Sequence, residues 1–275
     1  MIAHLSLLFK QFMAFLGKNL ENSEPLKHRK DLQCLLKQFL VVSGLPYAGK
    51  SFLLKHLLKQ KEIAGAVELS LDKVRLKLFG TRPDHHITKT EHLFKNDCLR
   101  NGILEYLISG SRIVVSEATI LTREMHQKPI VEMVSKAEQL IQTIEREYCL
   151  RDNLPVPASP AIVQLKVVLC YASLKCVANR ISSSQQERKC TGASVFDWIG
   201  MANGYSHFEF PDPLLSYEPL YLDTSDESDE ANQSRIREVL AFIHNGFDLK
   251  KVNSRRKESA MEYRSLIQGR IRQGL

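Results

Sequence analysis

The residues with the clearest chemistry lie at 44–51, where the chain reads Gly44-Leu45-Pro46-Tyr47-Ala48-Gly49-Lys50-Ser51. The spacing is G-x-x-x-x-G-K-S. Its glycines let the backbone turn so that N–H groups face one point, where an anion can sit. Lys50 sets a cation against the outer phosphates of a nucleotide, and the Ser51 hydroxyl is a ligand for Mg²⁺. Residues 44–52, with Phe52 at the far end, are the expected nucleotide-binding segment. Two carboxylates come later in the chain. Asp72 stands in Leu69-Ser70-Leu71-Asp72-Lys73-Val74-Arg75, and Glu117 in Ile113-Val114-Val115-Ser116-Glu117-Ala118-Thr119. A carboxylate beside a bound phosphate can take a proton from an attacking hydroxyl, which suits Asp72. Arg75, one helical turn on, can hold an anionic acceptor or orient Asp72. Glu117 suits Mg²⁺ through a water, or the acceptor. The plainer alternatives are that Asp72 caps a helix and that Glu117 faces solvent at a strand end.

These groups act together only if strands deliver them to one edge of a sheet. Phe39–Val42 is an apolar run bounded by glycine, as in a buried parallel strand. Phe52–Gln60 has helical spacing, so the loop lies between a strand and a helix whose dipole favours an anion. Further strands are predicted at Ala66–Leu71, Arg112–Val115, Gln164–Tyr171 and Glu218–Leu222. Helices are predicted at Leu71–Phe79, Thr90–Ser109, about Thr122–Tyr148, Ser173–Gln186 and Asn232–Ile243. Strands alternating with long helices predict an α/β fold, with helices on both faces of a five-stranded, mainly parallel sheet. Ligands bind where the carboxyl ends of parallel strands meet, and that edge would hold the loop, Asp72 and Glu117.

The succession GLPYAGKS, LSLDKVRLKLFG and GSRIVVSEATILTRE resembles the P-loop kinase group that contains polynucleotide kinase, the zeta-toxin sugar-nucleotide kinases and chloramphenicol phosphotransferase. The resemblance covers roughly residues 38–245. It implies a P-loop NTPase three-layer αβα fold, ATP and Mg²⁺, and transfer of the γ-phosphate to a hydroxyl of a small-molecule, sugar-nucleotide or nucleotide-like acceptor. It implies that Asp72 is the base, that Arg75 contacts the acceptor and that Thr119 lies on the acceptor side. It also implies lid arginines over the transferred group. Arg180, in Leu174-Lys175-Cys176-Val177-Ala178-Asn179-Arg180, matches that segment, with Arg188 further along. Glu117-Ala118-Thr119-Ile120 departs from the Asp-Ala-Thr-Asn of polynucleotide kinases and is closer to the zeta-toxin side. A solvated basic face is the alternative for both lid arginines.

Composition narrows the partners. Of the net charge of +7, residues 249–275 carry +6, with eight Lys and Arg against Glu258 and Glu262. The body is close to neutral, which favours a small acceptor over a long nucleic acid gripped along its length. The tail from Lys250 reads as a solvated basic helix, with RNA or an anionic membrane as the sharper reading. Six cysteines without a C-x-x-C pair suit a reducing, cytoplasmic setting. Ile2, Leu5, Phe9, Met13 and Leu16 fall at helical spacing in an N-terminal stretch too broken to span a bilayer. The expected organisation is therefore an amphipathic helix and linker at 1–31, a kinase-like domain at 32–248 with a lid at about 174–216, and a basic tail at 249–275. Trp198, Tyr205, Phe208 and Phe210 can pack or stack on a ring, and Asp223–Glu230 reads as an acidic helix start. His85, His86 and His92 read as bystanders. A nucleotide-binding switch or scaffold, or a simple NTPase, remains the rival to the kinase, and nothing in the sequence sets the oligomeric state.

Overall fold

A computed structural model of the chain describes residues 36–71, 73, 74, 78, 89–108, 112–118, 124–153, 155, 156, 160–191, 217–246 and 248–273. The expected N-terminal helix, the 81–88 loop, the aromatic stretch around Trp198 and most of the lid beyond 191 lie outside those residues.

The strands are β1 (Leu36–Gly44), β2 (Val67–Ser70), β3 (Ile113–Ala118), β4 (Ile162–Tyr171) and β5 (Leu220–Asp223). The helices between and after them are α1 (Lys50–Leu57), α2 (Lys89–Ile108), α3 (Glu124–Arg151), α4 (Leu174–Thr191), α5 (Asp229–Ile243) and α6 (Leu249–Gln273). The sheet is parallel and its order is β2-β3-β1-β4-β5. This is the parallel α/β sheet that the alternation predicted, in the P-loop NTPase arrangement that the resemblance implied. The order leaves β1 at the centre, and Phe39–Val42 are buried accordingly. Strands covered on both faces read as continuous apolar runs, which is why this one was visible. β1 starts earlier than the apolar run because Lys37 and Gln38 are buried too. The Lys37 ammonium donates to the Leu107 carbonyl, and the Gln38 N–H donates to the Arg112 carbonyl at 2.9 Å. A buried lysine is tolerated only with such partners.

Contacts divide the chain into two compact units. One holds the described residues within Met1–Phe39, Gly65–Ser116 and Ile130–Leu165. In it α2 packs on β2, and its core includes Leu99, Ile103 and Leu107 of α2, Val114 of β3 and Ala137 and Ile141 of α3. The second unit holds the described residues within Leu40–Ala64, Glu117–Pro129 and Lys166–Leu275. There β4 and β5 pair in parallel with Leu169 opposite Tyr221 and Tyr171 opposite Asp223. α5 and α6 both pack on β5, with α1 against α5 and α4 against α6.

α6 corrects the reading of the basic tail as a solvated helix. It is helical as expected, but Ala260, Ile267 and Ile271 on one face are buried with Leu169, Val177 and Tyr221. Asn253 is buried as well. Its amide donates to the Pro219 carbonyl at 2.7 Å and accepts from the Tyr221 N–H at 3.3 Å. Arg256 bonds the Glu238 carboxylate at 2.7 Å. The physical reason is that three apolar side chains suffice for a seam when the cations snorkel past it. Ile267→Ala is expected to lower stability by about 2–4 kcal/mol through the cavity it leaves, read from a urea unfolding curve.

Candidate functional site

β1 delivers the chain into the loop through Gly44, at φ 144°. A Cβ at that position would lie 2.3 Å from the carbonyl oxygen of Cys170 on β4. The loop can leave the sheet this close to β4 only because Gly44 has no side chain. Tyr47 (φ 61°) and Gly49 (φ 76°) then take left-handed conformations, and the Ala48 N–H donates to the Leu45 carbonyl at 3.2 Å. A tyrosine in that region is strained, and such strain persists where the surroundings over-determine it. α1 begins at Lys50. Its N-cap, Gly49, offers no side-chain acceptor, and its first turn holds no acidic residue. The positive end of the helix dipole therefore has no carboxylate of its own turn competing with an incoming anion. Lys50 is buried, and its ammonium donates to the Leu45 carbonyl at 2.9 Å, across the loop.

A cavity of about 690 Å³ opens over this loop within the second unit. That volume is in the range of small-molecule and cofactor sites. Tyr47 and Gly49 to Phe52 line it, whereas Leu45 and Ala48 face the core beneath. Phe52 is half exposed, with its ring centroid 4.2 Å from that of His56, and the two form an outer wall.

Arg180 of α4 also lines the cavity. Its Nε donates to the Glu227 carboxylate at 2.8 Å. One terminal nitrogen donates to the Tyr47 carbonyl at 2.7 Å and to Thr224 Oγ1 at 3.2 Å, and the other to the Thr224 carbonyl at 2.6 Å. The guanidinium is thus fixed against the loop. The next group, supplied by the segment after β5, is one that no sequence motif marks. Thr224 and Glu227 line the cavity with Arg235. Arg235 is nearly buried, and it donates to the Asp223 carbonyl at 3.1 Å and to the Asp226 carbonyl. Burial lowers the pKa of Arg235 from the ordinary arginine value, and these carbonyls offset the cost of the charge. The Asp223–Glu230 tract does start a helix, capped by Ser228 Oγ accepting from the Ala231 N–H at 3.3 Å. Before that start, it borders the site. The signal was topological: β5 is parallel to β4, so the residues after Asp223 emerge at the edge that holds the loop.

Of the other expected site residues, Asp72, Arg75 and Thr119 lie outside the described residues. Glu117 lies in β3 by its backbone, and Arg188 lies in α4 by its backbone. Lys73, next to Asp72, donates its N–H to Ser70 Oγ at 3.2 Å.

A central strand entering G-x-x-x-x-G-K-S, with a helix beginning at the lysine and a 2-3-1-4-5 parallel sheet, defines a P-loop NTPase fold. The chain belongs to the AAA domain family AAA_33, which matches residues 39–194, and the P-loop kinase group expected from the sequence is borne out. No curated protein matches the chain in sequence. Among solved structures it is similar to Chaetomium thermophilum Kti12 in complex with ADP-AlF3, at 12% identity and TM-score 0.47, over 74% of this chain and 98% of that one. It is similar to the Mycobacterium tuberculosis APS kinase CysC in complex with AMPPNP and APS, at 16% identity and TM-score 0.43, over 76% and 98%. It is also similar to a chain of the PezAT toxin–antitoxin system of Streptococcus pneumoniae, at 13% identity and TM-score 0.42, over 95% and 96%. These are likenesses of fold and say nothing about the acceptor this chain takes. Among the described residues, no helix is long and apolar enough to cross a membrane.

Proposed function

We propose that the chain is an ATP- and Mg²⁺-dependent phosphotransferase acting on a hydroxyl of a small-molecule, sugar-nucleotide or nucleotide-like acceptor. The carrying observation is the convergence of the curled loop, buried Lys50 and Arg180 on one cavity at the N-terminus of α1. The phosphates would lie on residues 44–52. Ser51, which is exposed at the loop's end, would hold Mg²⁺ with Glu117 reaching it through water. Bound Mg²⁺ draws charge from the phosphate oxygens. Lys50 and Arg180 would neutralise charge on the group in transfer, with Arg188 further along the same helix. Asp72 would accept the proton of the attacking hydroxyl, with Arg75 and Thr119 toward the acceptor. The cap that a purely structural reading asks of Asp72 is supplied by Ser70 to Lys73, which supports the base role.

Transfer from γ-labelled ATP with Mg²⁺, offered 5′-hydroxyl oligonucleotides, UDP-sugars and a metabolite extract, tests this. Wild type is expected to label one class, and Asp72→Asn to lose about 10²–10⁴-fold of that rate while ATP binding is retained. Phosphate released to water alone would favour a simple NTPase. ATP bound equally by both proteins, with transfer to nothing, would favour a nucleotide-binding switch.

A further inference from the structure

The segment after β5 does more than line the cavity, because one of its side chains is joined to the phosphate loop itself. Thr224 is 4% exposed, and its backbone N–H is fixed on the Tyr171 carbonyl at 2.8 Å. Its hydroxyl oxygen lies 3.0 Å from the Ala48 carbonyl and 3.1 Å from the Tyr171 carbonyl. One hydroxyl has a single proton, so these two carbonyls share it. The same oxygen accepts from Arg180 at 3.2 Å, and Arg180 also holds the Tyr47 carbonyl at 2.7 Å. Successive loop carbonyls, at 47 and 48, are thereby held by Arg180 and Thr224. Gly49 comes next, and a Cβ there would sit 3.1 Å from Thr224 Oγ1. Peptide planes are rigid, so fixing the Ala48 carbonyl also fixes where the Gly49 N–H points.

We propose that Thr224 is a positioning residue for nucleotide binding: its hydroxyl holds the Ala48 carbonyl and Arg180 together, and so aims the loop's N–H groups at the phosphates. It touches no phosphate in this role. It joins the loop to the β5–α5 segment, so that the loop and Arg180 take up their geometry as one piece. The inference rests on the nucleotide reading of the site and adds to it a residue that acts through the loop.

The test is ADP binding by calorimetry for wild type, Lys50→Ala, Thr224→Val and Thr224→Ser, beside the melting temperature of each without ligand. Valine keeps the shape and removes the hydroxyl, and serine restores it. Thr224→Val is expected to raise the Kd for ADP on the order of tenfold, the scale of one buried hydrogen bond. Thr224→Ser is expected to bind within about twofold of wild type, which a general loss of stability would not reproduce. Wild-type binding with Thr224→Val unchanged overturns the positioning role and leaves the nucleotide reading standing. Wild type that binds no better than Lys50→Ala overturns the nucleotide reading itself. If Thr224→Val fails to fold, amide exchange of wild type with magnesium pyrophosphate decides. Slowing at Thr224 and Ser225 in step with Gly49–Ser51 supports the tie, and slowing confined to the loop overturns it.

Discussion

Gly44→Ala is expected to unfold the second unit or to lower its stability by about 3 kcal/mol or more. The new methyl would meet the Cys170 carbonyl oxygen at 2.3 Å, and backbone atoms of a central strand pair cannot move aside as a side-chain tip can. The φ of 144° adds a second penalty, since residues with a Cβ rarely adopt it. Any relaxation must spread β1 from β4 or redirect the loop, so the phosphate site is lost with the stability. Urea unfolding followed by circular dichroism, with ADP binding on whatever folds, measures both. A variant as stable as wild type would mean that the loop leaves β1 by a different path.

The second large effect falls on Lys50. Lys50→Ala is expected to reduce phosphoryl transfer by about 10²–10³-fold, because it removes a fixed cation from where charge develops. Its cost to the ligand-free protein should be about 1 kcal/mol, the worth of one hydrogen bond to the Leu45 carbonyl. The two readouts separate in a melting experiment. Saturating ATP at one hundred times its Kd raises wild-type stability by about 2.7 kcal/mol, and the variant should show no such shift. Lys50→Arg should not rescue it, since a bulky planar fork does not occupy the place of a compact ammonium.

The contrast between the two ends of the site explains what the sequence disclosed. Residues 44–51 were legible because everything that makes the loop is local: an apolar strand before, glycines at the turns, a helix after. Arg180 was reachable only through the resemblance, which matches Leu174–Arg180 to a lid segment after the fourth strand. Thr224 and Glu227 were not, because their charged neighbours also describe an ordinary helix start, and that reading was itself correct. What makes Thr224 functional is the Ala48 carbonyl, far away in the chain, and no local pattern encodes it. α6 differs from expectation for a related reason. Its seam of Ala260, Ile267 and Ile271 is sparse beside eight cations, and net charge reports composition rather than which face is covered. β1 begins at Leu36 rather than Phe39, because a polar pair, Lys37 and Gln38, is buried by bonds to distant backbone.

The bonds that hold the loop from outside also fix an order of events during synthesis. The contacts to Arg180 and Thr224 close over sequence separations of 133 and 176 residues. As the chain leaves the ribosome, the loop is among the earliest parts of the second unit to emerge and among the last to acquire its shape. Closing such long separations carries an entropic cost that nearby contacts must already be offsetting. Until residue 271 is out, the core around Tyr221 also lacks its α6 side chains. Nascent chains halted before Thr224 should therefore hold the whole G-x-x-x-x-G-K-S motif and yet fail to retain nucleotide.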